Sequence, residues 1–228
     1  SGAKADAWVR EHGAGAAAPT PAAAADGADF ICCCVGNDDD LRSVTTGQDG
    51  AFETAPAGSV FVDHTTASAE VARELSAAAA ERGFSFLDAP VSGGQAGAEN
   101  GALTIMVGGQ AADFERATAV LDRLGERIHH MGPVGAGQAT KAVNQVLCAG
   151  VNRAVTEALA FGEALGLPMD SVVDVVGSGA GGNWFINHRG KTMLQSRYPL
   201  GFKVALHAKD LGICSAMAQA ANAAIPLT

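Results

Sequence analysis

Three short apolar runs, each ending at turn residues and each separated from the next by a helical stretch, constrain this chain more than any other feature. Phe30 to Val35 ends at Gly36-Asn37, Val60 to Val62 ends at Asp63, and Phe84 to Leu87 ends at Asp88. Continuous apolar runs of this length suit strands buried on both faces. Between them, Asp39 to Val44 and Ala67 to Arg82 read as helices, the second with Val71 and Leu75 one turn apart. Strands alternating with helices are the pattern of βαβ crossovers and of a parallel sheet. A further strand is expected over Leu103 to Val107. A helix follows with Phe114, Val120, Leu121 and Leu124 on one stripe, and Arg127 to Met131 can close the sheet. The opening residues, with Trp8 and Val9, carry a short amphipathic helix signal, and Ala14 to Ala25 reads as a loop with a short helical turn.

After the turn at Gly132-Pro133 the pattern changes. Thr140 to Leu165 reads as one long helix with Val143, Val146, Leu147, Val151, Ala154, Ala158, Phe161 and Leu165 on its apolar face, stopped by Gly166-Leu167-Pro168. Helix signals but no convincing strand follow. The expected organisation is an α/β domain over residues 1–132 and a helical domain over residues 133–228.

Composition narrows the class of partner. With 15 Lys and Arg against 24 Asp and Glu, the net charge is -9, so the overall field would not gather nucleic acid or anionic lipid. At 48% hydrophobic and 17% charged residues the chain is too apolar for disorder, yet charge or turn residues interrupt every apolar stretch before it could span a bilayer. The reading is a soluble globular protein. Five cysteines, three of them adjacent at Cys32, Cys33 and Cys34, with Cys148 and Cys214 alone, fit neither a paired framework nor a C-x-x-C metal or redox spacing. A reducing cytosol is the expected home, with Cys32 to Cys34 on an interior strand and no metal site. The start, Ser1-Gly2-Ala3-Lys4, carries no signal-peptide pattern.

Two glycine clusters fail as nucleotide motifs. Gly135-x-Gly137-x-x-Thr140 lacks the third glycine of G-x-G-x-x-G, and Gly190-Lys191-Thr192 has Phe185 where a P-loop needs its first glycine. A third cluster, Asp88-Ala-Pro-Val-Ser92-Gly93-Gly94, lies at the C-terminal end of an apolar strand, where ligands bind in open α/β sheets. Two glycines after a serine leave backbone N–H groups open to a carboxylate or phosphate, although a tight loop needing unusual backbone angles explains the same residues. Lys141 and Asn144 stand one turn apart on the long helix, with Cys148 a further turn along. A lysine held partly out of water there could exchange a proton with a substrate oxygen that Asn144 orients. A snorkelling lysine near a helix start accounts for the same spacing.

Taken in order, Asp88-Ala-Pro-Val-Ser-Gly-Gly94, Gly101-Ala-Leu-Thr-Ile-Met-Val-Gly-Gly109, Gly135-x-Gly137-x-x-x-Lys141-x-x-Asn144 and Leu206-His-Ala-Lys209-Asp210-Leu211 resemble the successive signatures of the β-hydroxyacid dehydrogenase family, of the 3-hydroxyisobutyrate dehydrogenase-like type. The resemblance runs over nearly the whole chain. It implies an α/β Rossmann-type N-terminal domain followed by an all-α C-terminal domain joined by a long helix, and hydride transfer between NAD or NADP and a small 3-hydroxy acid or its semialdehyde. Lys141 matches the catalytic lysine and Asn144 the amide that orients the substrate. Ser92, Gly93 and Gly94 match the loop that receives the substrate carboxylate. Thr66 matches the last residue of a D-x-S-T turn near the nicotinamide, Val35-Gly36 stand where Leu-Pro usually lies beside the cofactor, and Lys209 matches a helical lysine that reaches the cofactor. A homodimer or homotetramer through the helical domain is expected.

The family's G-x-G-x-x-G turn is absent, and so is the helix expected after Ile225-Pro226-Leu227, so the sequence reads as part of a longer protein. The residue that separates NAD from NADP is missing with that turn. Imine reductases of the same fold usually replace the lysine, so Lys141 weighs against that reading. 6-Phosphogluconate dehydrogenase shares the S-G-G and K-x-x-N layout, but Gly101 to Val107 resembles the branch with smaller substrates. A non-catalytic scaffold would give no reason for Lys141, Asn144, Ser92 and Lys209 to stand together.

Overall fold

The structure, a computed structural model, describes residues 2–198 and 201–228. It divides into two compact units, one ending at Lys141 and one running from Ala142 to Thr228. The first unit opens with helices α1 (Gly2–His12) and α2 (Pro21–Ala25), then strand β1 (Phe30–Cys33) and helix α3 (Asp38–Thr45). After a 3-10 turn at Ala51–Glu53 come β2 (Val60–Asp63), α4 (Ala69–Glu81) and β3 (Ser85–Asp88). Next are β4 (Val91–Ser92), α5 (Gly94–Glu99), β5 (Leu103–Gly108), α6 (Ala111–Leu121) and β6 (Gly125–Gly132). Helix α7 (Ala136–Ala164) begins in this unit and continues into the second.

Among the described residues six strands form one sheet in the order β1-β2-β3-β5-β4, with β6 also paired to β5. β1, β2 and β3 are mutually parallel, as their separation by α3 and α4 requires. The chain then departs from a fully parallel sheet. β5 pairs antiparallel with the end of β3 and with β4, and parallel with β6. The six-residue α5 is too short to serve as a parallel crossover, so the chain leaving it returns antiparallel to β4.

Alternation along the strands divides the core. Phe61 and Phe86 point to one face, where Leu41 of α3, Leu75 of α4 and Phe52 meet them. Phe61 and Phe86 stack with ring centroids 5.6 Å apart, and Phe52 meets Phe61 edge-on at 5.2 Å. Val60, Val62, Leu87, Ile105 and Val107 point to the other face, under Ala117 and Leu121 of α6. β1 stands at the edge of the sheet among the described residues, which corrects its expected interior position. Cys32 and Cys34 are exposed and Cys33 half-buried, because α6 packs over β3 and β6 and leaves the β1 end of that face uncovered.

The second unit holds the remainder of α7 with α8 (Met169–Gly177), α9 (Trp184–Leu194) and α10 (Val204–Ala220). Its small core is Val155 and Leu159 of α7, Val173 of α8 and Ile186 of α9. The apolar face expected for α7 is therefore divided. Val151, with Val155 and Leu159, packs inward, whereas Val143, Leu147, Phe161 and Leu165 are 59–65% exposed. Two apolar stripes on one long helix look alike in a sequence, and only one is covered within the chain. No helix among the described residues is long and apolar enough to cross a membrane.

The two compact units meet within α7, after Lys141. The first turns of α7 belong to the first unit because Gly135 and Gln138 donate backbone hydrogen bonds to Asp88. The approach is close enough that a Cβ on Gly137 would collide with Met106 O and lie 2.6 Å from Asp88 O. Both obstacles are backbone, so neither can swing aside. Gly137→Ala should destabilise the protein by about 1–3 kcal/mol, read as a lowered Tm. An unchanged Tm would show that the helix start can shift.

Candidate active site

The C-terminal ends of β1, β2 and β3 lie side by side on one edge of the sheet, where ligands bind in open α/β folds. After β1 the chain turns through Val35-Gly36 into α3. There Asn37 caps the helix by accepting the Asp40 N–H at 2.8 Å. After β2, Asp63 Oδ1 accepts the Thr65 N–H at 2.9 Å, which folds Asp63 to Thr65 into a tight turn. Thr65 Oγ1 accepts the Val35 N–H at 3.0 Å, so the Val35-Gly36 turn and the turn leading to Thr66 are tied together. The structure thus gathers Val35, Gly36 and Thr66, all expected near a cofactor, onto two joined turns.

After β3, Asp88 is fully buried and takes two hydrogen bonds from the start of α7: Oδ1 from Gly135 N at 2.7 Å and Oδ2 from Gln138 N at 2.9 Å. A carboxylate at a helix N-terminus satisfies N–H groups that have no partner within the helix and meets the positive end of its dipole. Burial raises the Asp88 pKa, and these backbone hydrogen bonds oppose the rise. Gln138 is buried too and works with both ends of its amide. Oε1 accepts the Ala67 N–H at 3.1 Å and Nε2 donates to Thr65 O at 2.7 Å. Asp88 and Gln138 therefore pin α7 to the ends of both β3 and β2.

One turn beyond Gln138 comes Lys141, 7% exposed, whose Nζ donates to Val91 O at 2.8 Å. Val91 directly precedes Ser92, Gly93 and Gly94. Gly93 and Gly94 have φ of 135° and 64°, the region that favours glycine, and no atom lies within 4 Å of where a Gly94 side chain would begin. The lysine is thus held against the base of a loop whose backbone is bare on one side.

In the second unit, Asn144 Nδ2 donates to Gln145 Oε1 at 2.8 Å and to Cys148 Sγ at 3.5 Å. Gln145 Nε2 donates to Asp210 Oδ2 at 2.6 Å, and Lys209 Nζ lies 2.8 Å from Asp210 Oδ1 as an ion pair. Asn144 and Lys209 are thereby joined through two buried side chains, Gln145 and Asp210.

Sequence reasoning passed over Asp63, His64, Gln138, Gln145 and the role of Asp88. The available signal was two aspartates ending consecutive strands, Asp63 and Asp88, which are aligned in the β2–β3 register. His64 Nδ1 lies 2.8 Å from Ala89 O, and burial lowers the ring's pKa. The neutral ring donates through Nδ1, which leaves Nε2 as the acceptor. The Cys33 thiol is a poor nucleophile: burial, then Asp63, pushes it up to about 12. Among the described residues no group of His, Cys, Asp and Glu is placed to hold a metal ion.

Residues 1–132 match the family model for the NAD binding domain of 6-phosphogluconate dehydrogenase. Residues 135–228 match the model described as NAD-binding of NADP-dependent 3-hydroxyisobutyrate dehydrogenase. These matches and the fold define a nicotinamide-dependent oxidoreductase. An uncharacterized oxidoreductase of Shewanella frigidimarina is 49% identical over 213 residues, 93% of this chain and 73% of that protein. The 3-hydroxyisobutyrate dehydrogenase of Pseudomonas aeruginosa is 36% identical over 209 residues, covering 89% and 70%. The crystal structure of 3-hydroxyisobutyrate dehydrogenase from Salmonella typhimurium superposes with a TM-score of 0.85 at 33% identity, covering 97% of this chain and 77% of that one. The chain belongs to the β-hydroxyacid dehydrogenase family, NAD(P)-dependent oxidoreductases of small hydroxy acids. It spans between 65% and 74% of the length of the curated relatives it matches.

Asp63 supplies a test of the site's electrostatics. Burial pushes its carboxyl up to about 7, with the Thr65 hydrogen bonds opposing and Asp88 adding in smaller measure. The folded protein holds this proton more tightly than the unfolded chain, whose carboxyl titrates near ~3.9. Asp63 thus favours the fold fully below that value, and its contribution is lost as pH rises through about 7. Between pH 4 and pH 8 the Tm of the unaltered protein should fall relative to that of Asp63→Asn. A pH-independent difference between the two would show that Asp63 does not titrate in this range.

Proposed function

We propose that this chain carries the catalytic lysine and the substrate-binding loop of a dehydrogenase that oxidises a small 3-hydroxy acid, or reduces its semialdehyde, with NAD or NADP. The observation that carries this is the buried Lys141 Nζ held 2.8 Å from the carbonyl that precedes Ser92-Gly93-Gly94. A proton-exchanging group and a glycine-containing loop thus stand together. The P. aeruginosa relative is named for 3-hydroxyisobutyrate, which supports a small branched or unbranched 3-hydroxy acid.

The strand ends fit the nicotinamide half of the cofactor. Val35-Gly36 and Thr66 lie on adjoining turns at the sheet edge, tied by the hydrogen bond from Val35 N–H to Thr65 Oγ1. The glycine-rich pyrophosphate turn is not among the residues of this chain. When bound, the nicotinamide supplies the hydride acceptor for the alcohol or the hydride donor for the aldehyde.

The remaining work falls to the chain. Backbone N–H groups of Gly93 and Gly94 bind the substrate carboxylate, with the Ser92 hydroxyl as a further donor. Lys141 Nζ accepts the hydroxyl proton during oxidation and returns it during reduction, while Asn144 holds the same oxygen. Lys209 steadies the cofactor. The five cysteines, without metal or redox spacing, suit a reducing cytosol.

Lys141→Met and Lys141→Arg should each lower kcat by about 10²-fold or more with a panel of 3-hydroxy acids, since neither side chain exchanges a proton near neutral pH. Cofactor affinity, followed by fluorescence of the reduced nicotinamide, should hardly move. A folded Lys141→Met enzyme that kept most of its kcat would refute the assignment.

Assembly follows from the uncovered stripe on α7. Val143, Leu147, Phe161 and Leu165 are best covered by the same face of a second copy, giving a homodimer or a homotetramer. Light scattering should report at least a dimer, and Leu147→Glu should shift it towards monomer. A monomeric unaltered protein at working concentration would contradict this assembly.

A further inference from the structure

The two backbone groups that flank Thr66 are held by one side chain. Gln138 Nε2 donates to Thr65 O at 2.7 Å, and Gln138 Oε1 accepts the Ala67 N–H at 3.1 Å. The orientation of this amide is settled by its partners, since a carbonyl only accepts and an N–H only donates. The two bonds grip the peptides before and after Thr66, in the manner of a residue on a neighbouring parallel strand. Thr65 is held twice more, by its N–H on Asp63 Oδ1 and by its hydroxyl, which accepts the Val35 N–H. Thr65, Ala67 and Gln138 are each at most 2% exposed, so within this group it is Thr66 that keeps exposed surface. Whatever Gln138 contributes to binding therefore passes through the turn.

We propose that Gln138 is a positioning residue for cofactor binding, clamping the backbone on both sides of Thr66 so that this residue is already set for the nicotinamide half when the cofactor arrives. The inference rests on the assignment of Thr66 to the cofactor made above and adds what fixes its direction. With the backbone held, a β-branched side chain has few staggered positions open to it. A turn ordered beforehand also lowers the entropic cost of binding. Gln138 lies in the first turn of α7, one turn before Lys141, so the clamp refers Thr66 to the same helix that carries the lysine.

The test compares two ligands of the full-length enzyme: the reduced cofactor, and ADP-ribose (or its 2′-phosphate for an NADP enzyme), which lacks the nicotinamide. Dissociation constants are measured without substrate, by fluorescence for the first and calorimetry for the second, below the Tm of every variant. Gln138→Met keeps much of the volume and removes both hydrogen bonds. It should weaken the reduced cofactor by about threefold to tenfold, the scale of one hydrogen bond, and leave ADP-ribose within about twofold. Gln138→Glu keeps the acceptor but as a carboxylate cannot donate to Thr65 O, whereas its protonated form can. Burial favours the protonated form, so the affinity of this variant should recover as pH falls from about 8.5 to about 5.5, while Gln138→Met stays weak. Asp63, His64 and Asp88 lie beside the same turn, so each variant is read as a ratio to the unaltered protein at the same pH. A purely architectural glutamine would lower the Tm in both variants without this selective, pH-reversible loss.

Equal weakening of both ligands by Gln138→Met, no weakening of either, or a Gln138→Glu ratio that does not move with pH would overturn the proposal. Thr66→Ala distinguishes this from failure of the underlying assignment. If it weakens the reduced cofactor while the Gln138 variants do not, Thr66 meets the cofactor but the clamp does not set it. If it leaves the reduced cofactor unchanged, the assignment fails and the proposal with it.

Discussion

A single buried carboxylate holds the first unit together at its chemically important end. Asp88 closes β3 and receives the first backbone N–H groups of α7, so the longest helix of the chain begins on a strand terminus. A helix start buried without such partners would leave donors unsatisfied, and a carboxylate buried without them would be forced to protonate. Each group removes the other's penalty. Gln138 extends the arrangement sideways to the turn after β2, and Lys141 comes one turn later with its Nζ against the Val91 carbonyl. The lysine is therefore placed by side-chain-to-backbone hydrogen bonds that tie α7 to the end of β3 and to the turn after β2, and its own flexible stem has little left to decide.

The parallel core of the fold was legible because it is written locally. The runs at Phe30, Val60 and Phe84 become β1, β2 and β3, and the turn residues that end them sit at the strand ends. β4 and α5 were not legible, since a two-residue strand and a six-residue Gly/Ala helix carry no periodicity. The start of α7 was misread for a different reason. The periodicity of the long helix sets in only at Thr140, whereas its first turn holds Gly137, where the close approach of Met106 O and Asp88 O leaves no room for a Cβ. The apolar face of α7 was legible from Val143 to Leu165, but not which part of it the chain covers, because apolarity records a demand for burial and says nothing of who meets it.

The candidate site divides in the same way. Ser92-Gly93-Gly94 and the Lys141-x-x-Asn144 spacing are short motifs whose chemistry can be read directly. Their supports cannot, because Gln138 meets Thr65 and Ala67, and Gln145 meets Asp210, across long stretches of intervening chain. Nothing in the local sequence distinguishes these two glutamines from any surface amide. Only the pairing reveals that each is buried and that each uses its oxygen and its nitrogen on different partners.

Gln138 shows how narrow such a position is in the twenty-letter alphabet. It must donate to one backbone carbonyl and accept from one backbone amide at the same reach from α7. Glutamate loses the donor, lysine the acceptor, methionine both, and asparagine is a carbon short. The residue is thus selected by stereochemical grammar rather than by reactivity. A glutamine here reports that the junction of helix and strand is intact, and it would do so equally in a chain whose lysine had been exchanged for another group and whose chemistry had moved elsewhere.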